Sequence, residues 1–169
     1  MTEVKYVSPV INGWTIFSHA LFIDQLEVLA QQVESLKQKD PVGYIKKNAT
    51  KRLAAIFKLV FEVIPQDPTR DEYRQGGTLG DAHKHWFRAK FFQQYRLFFR
   101  YHLTARVIVY AWVNDDDTKR AYESSDDAYR VFRKMLESGH PPDDWDELVA
   151  ESRTQGYRLR QLAKLHPVP

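Results

Sequence analysis

The chain has no cysteine among its 169 residues. Disulfides, thiol nucleophiles and cysteine-based zinc sites are therefore excluded. It also has no run of 18 apolar residues, and its first residues, MTEVKYVSPVINGW, lack the apolar core of a signal peptide. A soluble, cytoplasmic protein with no membrane segment is the expectation. The stretch Gly76-Gly77-Thr78-Leu79-Gly80 lacks the Lys-Ser/Thr that would follow in a phosphate loop, and no strong strand precedes it, so it reads as a loop. One further absence is local: from Ala82 to Asn114 there is no Asp or Glu.

That acid-free stretch carries Lys84, Arg88, Lys90, Arg96, Arg100 and Arg106. Its cations alternate with aromatic residues at a period of two, the period of a half-buried strand. A strand over 86–92 puts Trp86, Arg88, Lys90 and Phe92 on one face and Phe87, Ala89 and Phe91 on the other. A strand over 94–102 puts Arg96, Phe98 and Arg100 on one face, opposite Tyr95, Leu97, Phe99 and Tyr101. The simplest hairpin buries the aromatic faces and presents four cations on the other side, a surface suited to RNA. The net charge is only +3. The distribution is what points to a polyanion, because Asp115–Glu151 holds 12 acids against 5 bases.

The length predicts one domain. Residues 1–10 read as a loose leader, 11–153 as the domain and 154–169 as a flexible tail. Thr15–Phe17 reads as an edge strand. Phe22, Leu26, Leu29, Val33 and Leu36 recur at helical spacing, which predicts an amphipathic helix over 20–38. Asp40-Pro41 ends it and opens a second helix over 41–63, with Asp40 as N-cap and Pro41 in the first turn. The segment 106–113 is apolar on both faces, so it reads as a central strand. Ser124 and Asp127 form a capping box for a helix over 125–138, which Gly139 and Pro141-Pro142 stop; a short helix over 143–153 follows. Two helices, then a small twisted, mainly antiparallel sheet, then more helices, make an α+β fold.

Several motifs occur together: NGW at 12–14, KDP at 39–41, YRLFFRY at 95–101, WVND at 112–115, DDAYRVFRKML at 126–136 and GHPPDDWDEL at 139–148. Over about residues 11–152 the chain resembles the YhaV family of toxins, within the RelE-like superfamily. The resemblance implies a RelE-like fold and a cytoplasmic ribonuclease (an mRNA interferase) that cuts translated mRNA, typically on the ribosome. It also implies inhibition by a neighbouring PrlF-like antitoxin of the AbrB-type swapped-hairpin kind. By the same resemblance the basic residues before the YRL motif are Arg88 and Lys90, the arginine of the motif is Arg96, and a later pair corresponds to Arg120 and Tyr122. The chain departs from the pattern at the hairpin turn, where Phe92-Gln93-Gln94 stands in place of a glycine turn.

A ribonuclease of this class deprotonates the 2′-hydroxyl, stabilises the phosphorane charge and protonates the 5′-oxygen. No metal and no other cofactor are expected. Like charges favour the neutral amine that a base must be, so Lys90, beside Arg88 and Arg96, is the candidate general base. Arg88 and Arg96 are candidates to hold the scissile phosphate through paired guanidinium hydrogen bonds. Arg120 would stabilise the leaving group and Tyr122 would stack on or orient a base. Lys84, His85 and Arg100 are candidate substrate contacts. A solvated sheet face is the plain alternative for the cations. His83 and His85 suit acid–base work, RNA contact or an ordinary loop, and no third metal ligand is evident beside them. Asp115-Asp116-Asp117 suits a divalent metal or a solvated turn, and His140 a structural role. Two other functions stay open: an RNA- or antitoxin-binding module that has lost catalysis, and a metal-dependent nuclease using Asp115–Asp117.

Overall fold

The computed structural model describes residues 8–115 and 126–168. The leader before Ser8, Arg120, Tyr122, and the Ser124 half of the capping box lie outside them. Strand β1 (Val10–Ile11) pairs antiparallel with β2 (Trp14–Ser18), and Asn12-Gly13 makes the turn with both residues at positive φ. Helix α1 spans Ala20–Lys39, a 3₁₀ turn spans Gly43–Lys46, and α2 spans Asn48–Lys58 and runs on through a π-helical stretch, Leu59–Val63. A meander follows: β3 (Phe87–Phe91), β4 (Tyr95–His102) and β5 (Val107–Val113). Helices α3 (Asp126–Glu137), α4 (Trp145–Arg153) and α5 (Gly156–Ala163) close the chain.

The sheet order is β1-β2-β5-β4-β3. The β3–β4 and β4–β5 pairs are antiparallel, whereas β2 runs parallel to β5. Thr15–Phe17 is thus inside the sheet rather than at its edge; only two residues of β1 lie beyond it. Parallel pairing needs a long crossover, and α1 and α2 supply it on one face. There Phe22, Ile23, Leu26, Ile56 and Phe57 pack against Ile16, Leu97, Phe99, Ile108 and Tyr110.

The other face is covered as well. Trp86, Phe98, Val109, Ala111 and Trp112 pack against Ala128, Tyr129, Phe132 and Leu136 of α3 and Leu148 of α4. The Phe132 ring stacks on Phe98 with centroids 4.3 Å apart. A register shift between Phe98 and Phe99 accompanies consecutive residues Ala111 and Trp112 both joining this second core. The cation-bearing face of the hairpin is therefore not an open surface. Its own aromatics, Trp86 and Phe98, need burial, and an amphipathic helix provides it.

Two further expectations change. The predicted helix over 41–63 is broken: Asp40 ends α1, its carboxylate accepts from Gly43 N–H at 3.0 Å at the start of a 3₁₀ turn, and extended Lys47 separates that turn from α2. The expected tail after 154 holds a docked helix, α5, whose Leu159 and Leu162 join the first core. Arg158 fixes it to α1 through hydrogen bonds to Asp24 at 2.6 Å and Glu27 at 2.5 Å.

Candidate functional site

At the turn end of the β3–β4 hairpin, Lys90 stands opposite Arg96 and Phe91 opposite Tyr95. The turn is made without glycine: Phe92 and Gln93 adopt φ of 47° and 65°, a conformation that side chains disfavour. What holds it is a set of hydrogen bonds. Arg96 Nη1 donates to the Gln93 carbonyl at 2.7 Å and the Tyr95 carbonyl at 2.9 Å. The Asn114 side chain accepts from Arg96 N–H at 2.6 Å and donates to the Gln94 carbonyl at 3.0 Å.

Arg88 and Arg96 converge on one atom. The Tyr129 hydroxyl, carried by α3, accepts from Arg88 Nε at 2.8 Å and from Arg96 Nε at 3.2 Å. Arg88 Nη1 also donates to the Glu72 carbonyl at 2.6 Å. Arg96 is only 5% exposed, so its guanidinium belongs to the interior; Arg88 is half-buried and Lys90 is exposed. The site therefore has graded access: an exposed amine, a half-buried guanidinium beside it, and a buried guanidinium beneath.

The remaining candidates gather at the opposite end of the hairpin. Arg100 is four residues from Arg96 along β4, roughly 13 Å at strand rise. Its guanidinium lies 5.5 Å from the Trp86 ring and 5.1 Å from the Trp145 ring, and donates to the Asp143 carbonyl at 2.6 Å. Burial pulls its pKa below the usual value against the opposing charges of Asp143 and Asp144. One carboxylate oxygen, Asp143 Oδ1, receives three groups: His85 Nε2 at 2.8 Å, Trp86 Nε1 at 2.8 Å and His83 Nδ1 at 3.0 Å. Burial works to raise the Asp143 pKa, but hydrogen bonds from Trp86, His85 and His83 outweigh it and leave the carboxyl below its ordinary value. Exposed Lys84 lies 3.5 Å from Asp81. The two groups of cations are too far apart to hold one phosphate together.

The structure thus brings Arg88, Lys90 and Arg96 together, and separately Lys84, His85 and Arg100 around Asp143. Asp115 is exposed at the end of β5, while Asp116 and Asp117 lie outside the described residues. His140 packs edge-on to His19 with centroids 6.1 Å apart, a structural contact. From the sequence Tyr129 and Asn114 carry no role and Asp143 reads only as one of a run of exposed acids, whereas the structure half-buries it. All three sit inside the motifs DDAYRVFRKML, WVND and GHPPDDWDEL.

Among the described residues no helix is long and apolar enough to cross a membrane. No solved structure matches the chain. Relatives do match, among them "Toxin YhaV" of Escherichia coli O6:H1 and "Ribonuclease toxin YhaV" of Escherichia coli strain K12. Each is 44% identical over 144 residues, covering 84% of this chain and 94% of the relative. Residues 16–153 match the family described as toxins with endonuclease activity, of toxin–antitoxin systems. With most of its length matched in both comparisons, the chain belongs to the YhaV family of endonuclease toxins, which implies an antitoxin partner.

Proposed function

We propose that this protein is a RelE-like mRNA interferase that acts in the cytoplasm, on mRNA engaged by the ribosome, and that a PrlF-like antitoxin of the AbrB type restrains it. The observation that carries the site assignment is the exposed Lys90 amine set across from Arg96 and two residues from Arg88 on the same strand face. In this reading Lys90 takes the 2′-hydroxyl proton, the 2′-oxygen attacks phosphorus as the bond from phosphorus to the 5′-oxygen breaks, and the 5′-oxygen takes a proton from water. The products carry a 2′,3′-cyclic phosphate and a 5′-hydroxyl. Arg88 holds the phosphate. Arg96, buried and bonded to the turn carbonyls, is a positioning residue that fixes the hairpin and Tyr129. Arg120 and Tyr122 complete the site by the family resemblance, at the leaving group and at a base. Because α3 covers the sheet face, the RNA approaches along the β3 edge, where Lys84 and His85 contact flanking nucleotides, while Arg100 lies inward on β4 between the Trp86 and Trp145 rings.

The test is mapping of mRNA 5′ ends by primer extension in a translation extract. Wild type is expected to give new 5′-hydroxyl ends and Lys90→Ala is not. The same reaction on free RNA shows whether the ribosome is needed. A second reading, a binding module without catalysis, is favoured by the inward hydrogen bonds of Arg88 and Arg96. Tight RNA binding by a folded wild type that makes no new ends would select it.

A further inference from the structure

We propose that His83, His85 and Asp143 form a binding site for one divalent transition-metal ion, zinc foremost, which clips the segment before β3 to the segment before α4. One ligating atom from each residue lies within 4.8 Å of the other two. His83 Nδ1 and His85 Nε2 are 3.0 and 2.8 Å from Asp143 Oδ1. In a tetrahedral centre with bonds of about 2.0–2.1 Å, neighbouring ligand atoms sit roughly 3.3 Å apart. The two histidine–carboxylate distances therefore need to open by only a few tenths of an ångström, and the two ring nitrogens already lie within 4.8 Å of each other. Two imidazole nitrogens and one carboxylate oxygen suit zinc, cobalt, nickel or copper, and are a poor set for magnesium or calcium.

The ligands are held before any metal arrives. Trp86, fully buried, donates its indole N–H to Asp143 Oδ1 and orients the carboxylate, as an outer partner does in metal sites. The Gln75 amide donates to the His83 carbonyl at 2.9 Å and anchors the histidine segment. Asp143 directly precedes Asp144, which caps α4 through Glu147 N–H. The three ligand side chains are 14%, 37% and 34% exposed, which leaves a fourth position open to water.

Without metal, both ring N–H groups donate to one carboxylate oxygen, and with metal the same nitrogens present lone pairs, so protons compete with the ion as pH falls. The Arg100 guanidinium, bonded to the Asp143 carbonyl, repels a second cation and weakens the site's hold on the ion. His85, the ligand nearest in sequence to Lys90, is five residues from it, roughly 17 Å of extended chain, so the site's role is to clip the fold, apart from the chemistry of the hairpin turn.

The test uses the full chain without a polyhistidine tag, stripped with chelator and titrated with zinc chloride by calorimetry. One zinc per chain is expected, with a rise in Tm of several degrees at saturation. Cobalt is expected to give the visible bands of a tetrahedral site. His85→Gln and Asp143→Asn are each expected to weaken zinc binding at least about tenfold, with the metal-free circular dichroism spectrum unchanged. No zinc uptake by the folded wild type overturns the proposal. Zinc binding untouched by both substitutions also overturns it. A hydrogen-bonded hub alone appears as variants with lower metal-free Tm beside a wild type that zinc does not move, and that result overturns it too.

Discussion

Lys90 and Arg96 face each other across the β3–β4 ladder, one exposed to solvent and the other 5% exposed. The pair makes opposite predictions for activity and stability. Lys90→Ala removes the proposed base from an exposed position. RNA cleavage is expected to fall by about 10²–10⁴-fold, with unfolding free energy within about 0.5 kcal/mol of wild type. Arg96→Ala removes the side-chain donor to the Gln93 and Tyr95 carbonyls and one of the two donors to the Tyr129 hydroxyl. It is expected to destabilise by about 2–4 kcal/mol and to lose activity with the fold of the turn. Urea denaturation beside primer extension separates the two effects. Full cleavage by Lys90→Ala would remove that residue from the chemistry.

Tyr129 is the acceptor through which α3 reads the hairpin. Tyr129→Phe keeps the ring packed edge-on to Phe98 at 5.6 Å while deleting the oxygen shared by Arg88 and Arg96. Two guanidinium donors lose a partner, one of them on buried Arg96, and the expected loss is about 1–3 kcal/mol. Because Arg88 is then free to turn away from the phosphate, kcat is expected to fall by more than the stability loss explains at temperatures where both proteins stay folded. Single-turnover cleavage at several temperatures below the melting transition checks this. Unchanged kcat at all of them would make Tyr129 a packing residue only.

The periodicities carried most of the fold. Alternation placed β3 and β4, and a run apolar on both faces placed β5, close to their observed ends, and the 3.6-residue stripe of Phe22, Leu26, Leu29 and Val33 placed α1. The β3–β4 hairpin was legible, but the long-range pairing of β2 was not. Nothing local in Trp14–Ser18 reveals that its partner is β5, more than ninety residues later. Alternation likewise says which side chains share a face and not what covers it. The cations of the hairpin therefore read as solvated, whereas Phe98 on the same face recruits Phe132 and buries Arg96 with it. The basic residues Arg158 and Arg160 made the last segment look like a tail, while the apolar pair Leu159 and Leu162 between and beyond them is what docks it. His83 and His85 were visible as a pair, but their common partner is 58 to 60 residues away, and only the fold joins them.

The docking of α5 is itself testable. Leu159 is fully buried in the core formed with α1, and Tyr157, on the same helix, is 47% exposed. Leu159→Ala is expected to cost about 2–5 kcal/mol, the range for emptying a buried leucine site. Tyr157→Ala should stay within about 0.5 kcal/mol of wild type. Chemical denaturation of both variants measures the difference. Equal, small effects would mean that α5 adds little to the folded domain and that the segment behaves as the tail its basic residues suggest.

Asp143 ties stability to acid pH in a definite direction. Burial alone would raise its pKa, yet the hydrogen bonds from Trp86, His85 and His83 hold it below the ordinary carboxylate value. A carboxyl whose folded pKa is depressed binds protons more readily in the unfolded chain. Its contribution is therefore complete above the unfolded value of about 4 and disappears as pH falls through the lower folded value. In Asp143→Asn the side chain no longer titrates, although an amide oxygen still accepts from Trp86. The unfolding free energy of wild type, measured in chelator from pH 6 down to pH 3, is expected to drop more steeply below about pH 4 than that of the variant. The two curves should run parallel above pH 5, with wild type the more stable. Parallel curves through the whole range would show that the carboxylate is no better solvated by its three donors than by water.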